Sequence, residues 1–176
     1  MSFADEFKPE KTVIKTVYLA GFDVFHPEAI ALGHNLTEIC TSFGLEGRYP
    51  MDNEINLGPN ASKEETGQAI AWANYEMLYA SDAIIANVNS FRGHEPDSGT
   101  CAEIGFAVCC KKPIFLYTAD LRTLIDRIPS QNGIDEHGYC VEDFGFPLNI
   151  MLACPAIHIS KSFEEAVEMA SRFHLE

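Results

Sequence analysis

An α/β fold is predicted for this chain: a five-stranded parallel, doubly wound sheet of flavodoxin-like size, with helices on both faces. Three observations predict it. Strand and helix signals alternate along the chain. Asp82–Val88 is apolar nearly throughout, as a strand buried on both faces must be. Two helices announce themselves with capping boxes, Ser62 with Glu65 and Ser162 with Glu165.

Taken in order, Val13–Ala20 has β-branched and aromatic residues at strand length, and Pro27 opens a helical pattern through Ser42 that Gly44 stops. Gly47–Met51 reads as a short second strand. Leu57–Ala61 is loop chemistry, with Gly58, Pro59 and Asn60 in a row. The Ser62-capped helix runs to about Ala80. Asp82–Val88 is the central strand, Gly99–Cys110 a helix and Pro113–Thr118 the next strand. From Ala119 to Asn149 the pattern weakens, punctuated by Pro129, Gly133, Gly138, Gly145 and Pro147; so long an irregular stretch is usually functional or mobile. Ala156–Ser160 is a last short strand. The Ser162-capped helix then sets Phe163, Ala166, Val167, Ala170 and Phe173 on one apolar face. No repeat or linker divides the chain, so residues 1–12 are expected as an N-terminal extension and 13–176 as one domain.

Twelve basic against 26 acidic side chains give a net charge of −14. That disfavours nucleic acid or an anionic membrane as partner, since both need clustered Lys and Arg. Six cysteines show no metal-ligand spacing, and six histidines show neither HxH nor HExxH, so no metal is expected. Met1–Lys11 is polar and charged, unlike a signal peptide, and no apolar run approaches a bilayer span. A reduced, cytoplasmic protein is the expectation.

The chemistry concentrates after the central strand, in Glu95-Pro96-Asp97-Ser98-Gly99-Thr100-Cys101-Ala102-Glu103. Ligands of open parallel sheets collect beyond the carboxyl ends of the strands. Glu103 is a candidate nucleophile there, with Asp97 as its partner. Both have plainer readings. Thr100 and Glu103 have capping-box spacing, and Asp97 is a natural turn residue before a helix. Gly99 would let the backbone approach a ligand. Tyr18, near the end of the first strand, could hydrogen-bond a catalytic carboxylate or be a core aromatic. Ala20-Gly21 lacks the dinucleotide fingerprint, and neither a P-loop nor a G-x-S-x-G elbow occurs.

Four segments together resemble the nucleoside 2-deoxyribosyltransferases: Val17-Tyr18-Leu19-Ala20-Gly21, Tyr49-Pro50-Met51-Asp52-Asn53, Asp97-x-Gly99-x-x-x-Glu103-Ile104-Gly105-x-Ala107, and Pro147-Leu148-Asn149-Ile150-Met151. The resemblance covers roughly residues 13 to 155. It implies exchange of the base of a 2'-deoxynucleoside for another purine or pyrimidine base through a covalent deoxyribosyl-Glu103 intermediate, in nucleoside salvage. It implies that Tyr18 hydrogen-bonds the nucleophile and Asp97 binds the sugar hydroxyls. Asp52, Asn53 and Glu54 match the loop near the base, with Gly21, Phe22 and Phe25 beside it and the last two as candidate stacking partners. Asn149 and Met151 match residues inserted into a neighbouring subunit's site, Asn149 reaching the 5'-hydroxyl, which implies a homo-oligomer with shared sites. No cofactor is implied.

Two positions depart from the family pattern. Asn74 stands where an aspartate is common, and an amide cannot donate a proton as an acid does. Glu54 stands where some relatives have glutamine. Two alternatives remain open from sequence: an N-glycosidase acting on 2'-deoxynucleosides or their 5'-monophosphates, and a non-catalytic nucleotide-sensing module.

Overall fold

The computed structural model describes residues 3–9, 13–55 and 57–173. Its elements run β1 (Thr16–Ala20), α1 (Ala29–Ser42), β2 (Glu46–Arg48), α2 (Lys63–Ala80), β3 (Ala83–Asn87), α3 (Ser98–Cys109), β4 (Ile114–Tyr117), α4 (Leu124–Arg127), β5 (Ser130–Gln131), β6 (Ile134–Asp135), α5 (Ile150–Ala153), β7 (His158–Ser160) and α6 (Phe163–Ser171). Single 3₁₀ turns span Phe22–Phe25 and Pro50–Asp52. Of the expected extension 1–12, Phe3–Glu6 form one helical turn, while residues 1, 2 and 10–12 lie outside the described residues, as do 174–176.

The main sheet is parallel throughout, in the order β2-β1-β3-β4-β7. The chain leaves β1 in one direction and β3 in the other, so the carboxyl ends of these two central strands flank the switch point. Strand periodicity then divides the core. Val17, Leu19, Ala83, Ile85, Phe115 and Tyr117 pack with Cys40 of α1 and the apolar face of α6. Tyr18, Ala20, Ile84, Ala86, Ile114 and Leu116 pack with Leu78 of α2, Ile104 and Ala107 of α3, and Leu152 of α5. Alternation thus sends Tyr18 to the α2/α3 side.

Ser62 and Ser162 start their helices as expected, each accepting from the glutamate's N–H; Glu65 reaches back to the Ser62 N–H and completes the box, whereas Glu165 reaches one residue further, to the Lys161 N–H. Gly44 ends α1 at a φ of 80°, a conformation that suits glycine. The structure departs from the sequence reading at several points, and the last strand begins at His158 rather than Ala156. The first strand begins at Thr16 rather than Val13, because the Lys15 and Thr16 N–H groups are taken by the Asp82 carboxylate. The first long helix begins at Ala29, two residues after Pro27. The second strand ends at Arg48 rather than Met51: Pro50 has no N–H for a ladder and starts a 3₁₀ turn. The stretch 119–149 is less irregular than expected, containing α4 and the β5–β6 ribbon, whose Asn132-Gly133 turn has positive φ at both residues.

Candidate active site

Tyr18 is fully buried on β1, and its hydroxyl donates to Glu103 Oε1 on α3 at 2.5 Å. Glu103 therefore does not make the capping box that Thr100 and its spacing allow. The helix begins earlier, at Ser98, and Asp97 is the N-cap, with Oδ2 accepting from the Thr100 N–H at 3.1 Å and the Thr100 hydroxyl at 3.3 Å. Asp97, read from sequence as a turn residue before the helix, is its N-cap, and the capping-box reading fails for Glu103, which lies in the second turn, facing the sheet. A Cβ on Gly99 would stand 3.0 Å from Asp97 Oδ2, so a residue without one keeps this cap compact.

Burial pushes the Glu103 carboxyl up to about 7; the Tyr18 hydrogen bond opposes the rise and the nearby Asp97 charge adds to it. The Tyr18 hydroxyl is itself held far above the ordinary phenol range, chiefly by burial and also by the Glu103 charge. Tyr18 thus donates its proton in a hydrogen bond and does not give it up. A half-sunk carboxylate, poised near neutrality and oriented by a fixed donor, suits attack on an electrophilic carbon.

Gly21 follows β1 where a Cβ would lie 2.5 Å from Asp23 Oδ2 and 2.8 Å from the Asn87 Cβ. Its absence permits Asn87 Nδ2, at the end of β3, to donate to Asp23 Oδ2 at 2.9 Å. This bond ties the Phe22–Phe25 turn across the switch point. The two phenylalanines expected to stack on a base both stack on Phe91, at centroid distances of 4.9 Å for Phe22 and 5.6 Å for Phe25. The Arg92 guanidinium lies 4.6 Å from the Phe91 centroid. Sequence reading missed Phe91 and Arg92, whose only signal is an aromatic beside a cation in the loop after the central strand.

On the other flank, Asp52 Oδ2 accepts from the Tyr49 N–H at 3.2 Å, closing the 3₁₀ turn. Asn53 Nδ2 donates to Asn74 Oδ1 at 3.0 Å, joining the loop after β2 to α2. Glu54 is exposed in that loop. Asn74 and Glu103 each precede the last residue of their helices by six positions, and α2 and α3 pack side by side and both descend to the amino edge of the sheet. Next to Asn74, the Tyr75 ring packs on Phe106 at 5.0 Å, and Tyr75 is close enough to act electrostatically on Tyr18.

Asn149 caps α5, its Oδ1 accepting from the Met151 N–H, and its Nδ2 donates to Glu142. Met151 projects outward at 76% exposure. The structure thus joins Tyr18 with Glu103 and Asn53 with Asn74. It turns Asn149 toward Glu142 and Met151 toward solvent.

Residues 17–151 match the sequence profile of the nucleoside 2-deoxyribosyltransferases. The chain belongs to this family. A 2-desoxiribosyltransferase from Leishmania mexicana is 33% identical, with a TM-score of 0.77 over 92% of this chain and 99% of that one. A 2-deoxyribosyltransferase from Bacillus psychrosaccharolyticus, 16% identical, shares the fold at a TM-score of 0.59 over 87% of this chain and 90% of that one. An uncharacterized protein of Schizosaccharomyces pombe is 32% identical over 124 residues, or 70% of this chain, which spans 59% of that relative's length. No helix among the described residues is long and apolar enough to cross a membrane.

Proposed function

We propose that the protein transfers 2-deoxyribose between nucleobases, with Glu103 as the nucleophile. The carrying observation is the 2.5 Å Tyr18–Glu103 bond, which holds a pKa-raised carboxylate beside Asp97 at the switch point. In the first displacement a Glu103 oxygen bonds to C1' of the deoxynucleoside while the C1'–N bond breaks. The base nitrogen keeps the electron pair and takes up a proton from solvent water, because the Asn74 amide can hydrogen-bond the base but cannot supply one. A second base then attacks C1', releases the Glu103 carboxylate and returns its own ring proton to solvent, so the two steps balance. Two inversions return the β-anomer, as in retaining glycosidases with a base in the place of water. A 2-deoxy sugar lacks an electron-withdrawing 2'-hydroxyl, so its oxocarbenium-like transition state is more accessible. This favours a role in deoxynucleoside salvage.

Tyr18 orients the nucleophile, Asp97 binds the sugar hydroxyls, and Asn53, Asn74, Asp52 and Glu54 border the base together with Gly21, Phe22, Phe25 and the Gly99 turn. The substrate carries a free 5'-hydroxyl, because a phosphate placed against Asp97 would meet charge repulsion from a group that can only accept. Asn149 and Met151 complete the site of a neighbouring subunit in a homo-oligomer. The exposed Met151 supports this, as does an open groove of about 570 Å³ lined by Trp72, Tyr75, Glu76, Tyr79 and Phe106.

Incubation of 2'-deoxyinosine with and without adenine tests the reaction. Deoxyadenosine together with hypoxanthine is the expected product pair. Hypoxanthine and free deoxyribose alone, with adenine present, would mean a hydrolase, and binding without any turnover a sensing module.

A further inference from the structure

Glu142 belongs to none of the four family-like segments and precedes Asn149 by seven residues. Both of its carboxylate oxygens are engaged. Oε1 accepts from Asn149 Nδ2 at 2.5 Å, and Oε2 accepts from the Ile150 N–H at 3.1 Å. On its other side the Asn149 amide accepts, through Oδ1, from the Met151 N–H at 3.0 Å. These bonds fix which way the amide faces. A backbone N–H can only donate, so it holds the amide oxygen; a carboxylate can only accept, so it holds the amide nitrogen. One Nδ2 hydrogen remains for a ligand, and Asn149 meets that ligand as a donor. The clamp is anchored from below, because Leu148, Leu152 and Ala153 pack in the core with Ile104 and Ala107 of α3.

Resting on the reading of Asn149 given above, we propose that Glu142 is a positioning residue: it makes Asn149 a one-way donor to the substrate's 5'-hydroxyl, and its charge helps the site reject a 5'-phosphate. A hydroxyl both accepts and donates. It takes the Asn149 hydrogen on its oxygen and gives its own proton to Asp97 of the subunit whose site Asn149 completes; within each chain Thr100 engages Asp97 Oδ2 and leaves Oδ1 for the sugar. A phosphate dianion can only accept. It satisfies Asn149 but brings its charge toward two acidic side chains, Asp97 and Glu142, which is discrimination by repulsion as well as by fit.

The test compares the native protein with Glu142→Gln on three donors, 2'-deoxyadenosine, 2',5'-dideoxyadenosine and dAMP, with hypoxanthine as the common acceptor. Glutamine can still accept from Asn149, but turns an amide NH₂ toward the Ile150 N–H and carries no charge. In the native protein, removing the 5'-hydroxyl should lower kcat/KM about tenfold or more. In Glu142→Gln, 2'-deoxyadenosine should lose about tenfold, more in KM than in kcat, and 2',5'-dideoxyadenosine should lose little. Turnover of dAMP relative to 2'-deoxyadenosine should rise. If Glu142→Gln fails to fold, Glu142→Asp, which keeps the charge on a shorter arm, should show the same non-additivity with dAMP still rejected. An equal loss on both deoxynucleosides would overturn the proposal and leave Glu142 a structural cap. Absence of base exchange in the native protein would instead defeat the transfer reading itself, and this proposal with it.

Discussion

Ser62-Lys63-Glu64-Glu65 and Thr100-Cys101-Ala102-Glu103 have the same spacing, yet their glutamates do different work. Glu65 is exposed and reaches back to the Ser62 N–H at 2.8 Å while Ser62 caps the helix. Glu103 is partly buried and bonds a fully buried tyrosine from a neighbouring strand. The difference lies in what precedes each helix. Ser62 follows a loop and is free to act as N-cap. Thr100 already lies inside α3, because Asp97 caps the helix three residues earlier. That shift rotates Glu103 onto the sheet-facing side. The electrostatics follow: hydrogen bonds with Ser62 pull the Glu65 carboxyl below its ordinary value, whereas burial pushes Glu103 up to about 7. One glutamate closes a helix end, and the other is poised to react.

The sharpest break of this comparison is Glu103→Gln, which should lower base exchange by about 10⁴-fold or more, measured as initial rates, because the nucleophile is gone. Glu65→Gln should leave that rate within about twofold, since it only trims a cap. Comparable losses in the two variants would erase the distinction.

Tyr18→Phe should cost about 10- to 100-fold in kcat/KM, the range for one charge-assisted hydrogen bond. It should also move the pH profile in a defined direction. Ionised Glu103 is the attacking form, so kcat/KM should fall as pH drops below about 7. The Tyr18 bond lowers the Glu103 value, so its removal should carry the acid limb to higher pH. A limb that stays in place or moves down would contradict the assignment.

A smaller effect is expected on stability. The folded value for Glu103, about 7, lies above its ordinary 4.5, so the native state holds this proton more tightly than the unfolded chain does. Its contribution is full below pH 4.5 and is lost as pH rises through about 7. Glu103→Gln has nothing to ionise and keeps an acceptor for Tyr18. Above pH 7 it should exceed the native protein by on the order of 1–3 kcal/mol in urea unfolding, and the gain should vanish near pH 4. The smallest change separates the glycines. Gly21→Ala must displace the Asp23–Asn87 tie and should lower both Tm and exchange, whereas Gly58→Ala, which meets nothing within 4 Å, should leave both nearly unchanged.

The sheet was legible because apolar strands buried on both faces, such as Ala83–Asn87, carry their burial in their composition. The reactive pair was legible only as two candidates. Nothing in the spacing of Thr100 and Glu103 separates a cap from a nucleophile; that depends on where α3 starts and on which face of β1 Tyr18 lies. Tertiary placement likewise decided Phe22 and Phe25, whose stacking on Phe91 joins residues far apart in the chain. Glu142 was hidden because Val141-Glu142-Asp143 reads as solvated charge, and its partner lies across a turn. The Asn132-Gly133 hairpin, by contrast, had a local signal, the dipeptide that favours positive φ at both central positions.

The account turns on a covalent bond at Glu103. The direct measurement is mass spectrometry of peptides from protein quenched after reaction with a 2'-fluoro-2'-deoxynucleoside, whose fluorine disfavours the oxocarbenium-like transition state and slows release of the sugar. The account predicts one equivalent of fluorosugar on the peptide containing Glu103, lost when free adenine is added and absent from Glu103→Gln. Sugar bound to a different residue, or base exchange in Glu103→Gln at the native rate, would contradict it.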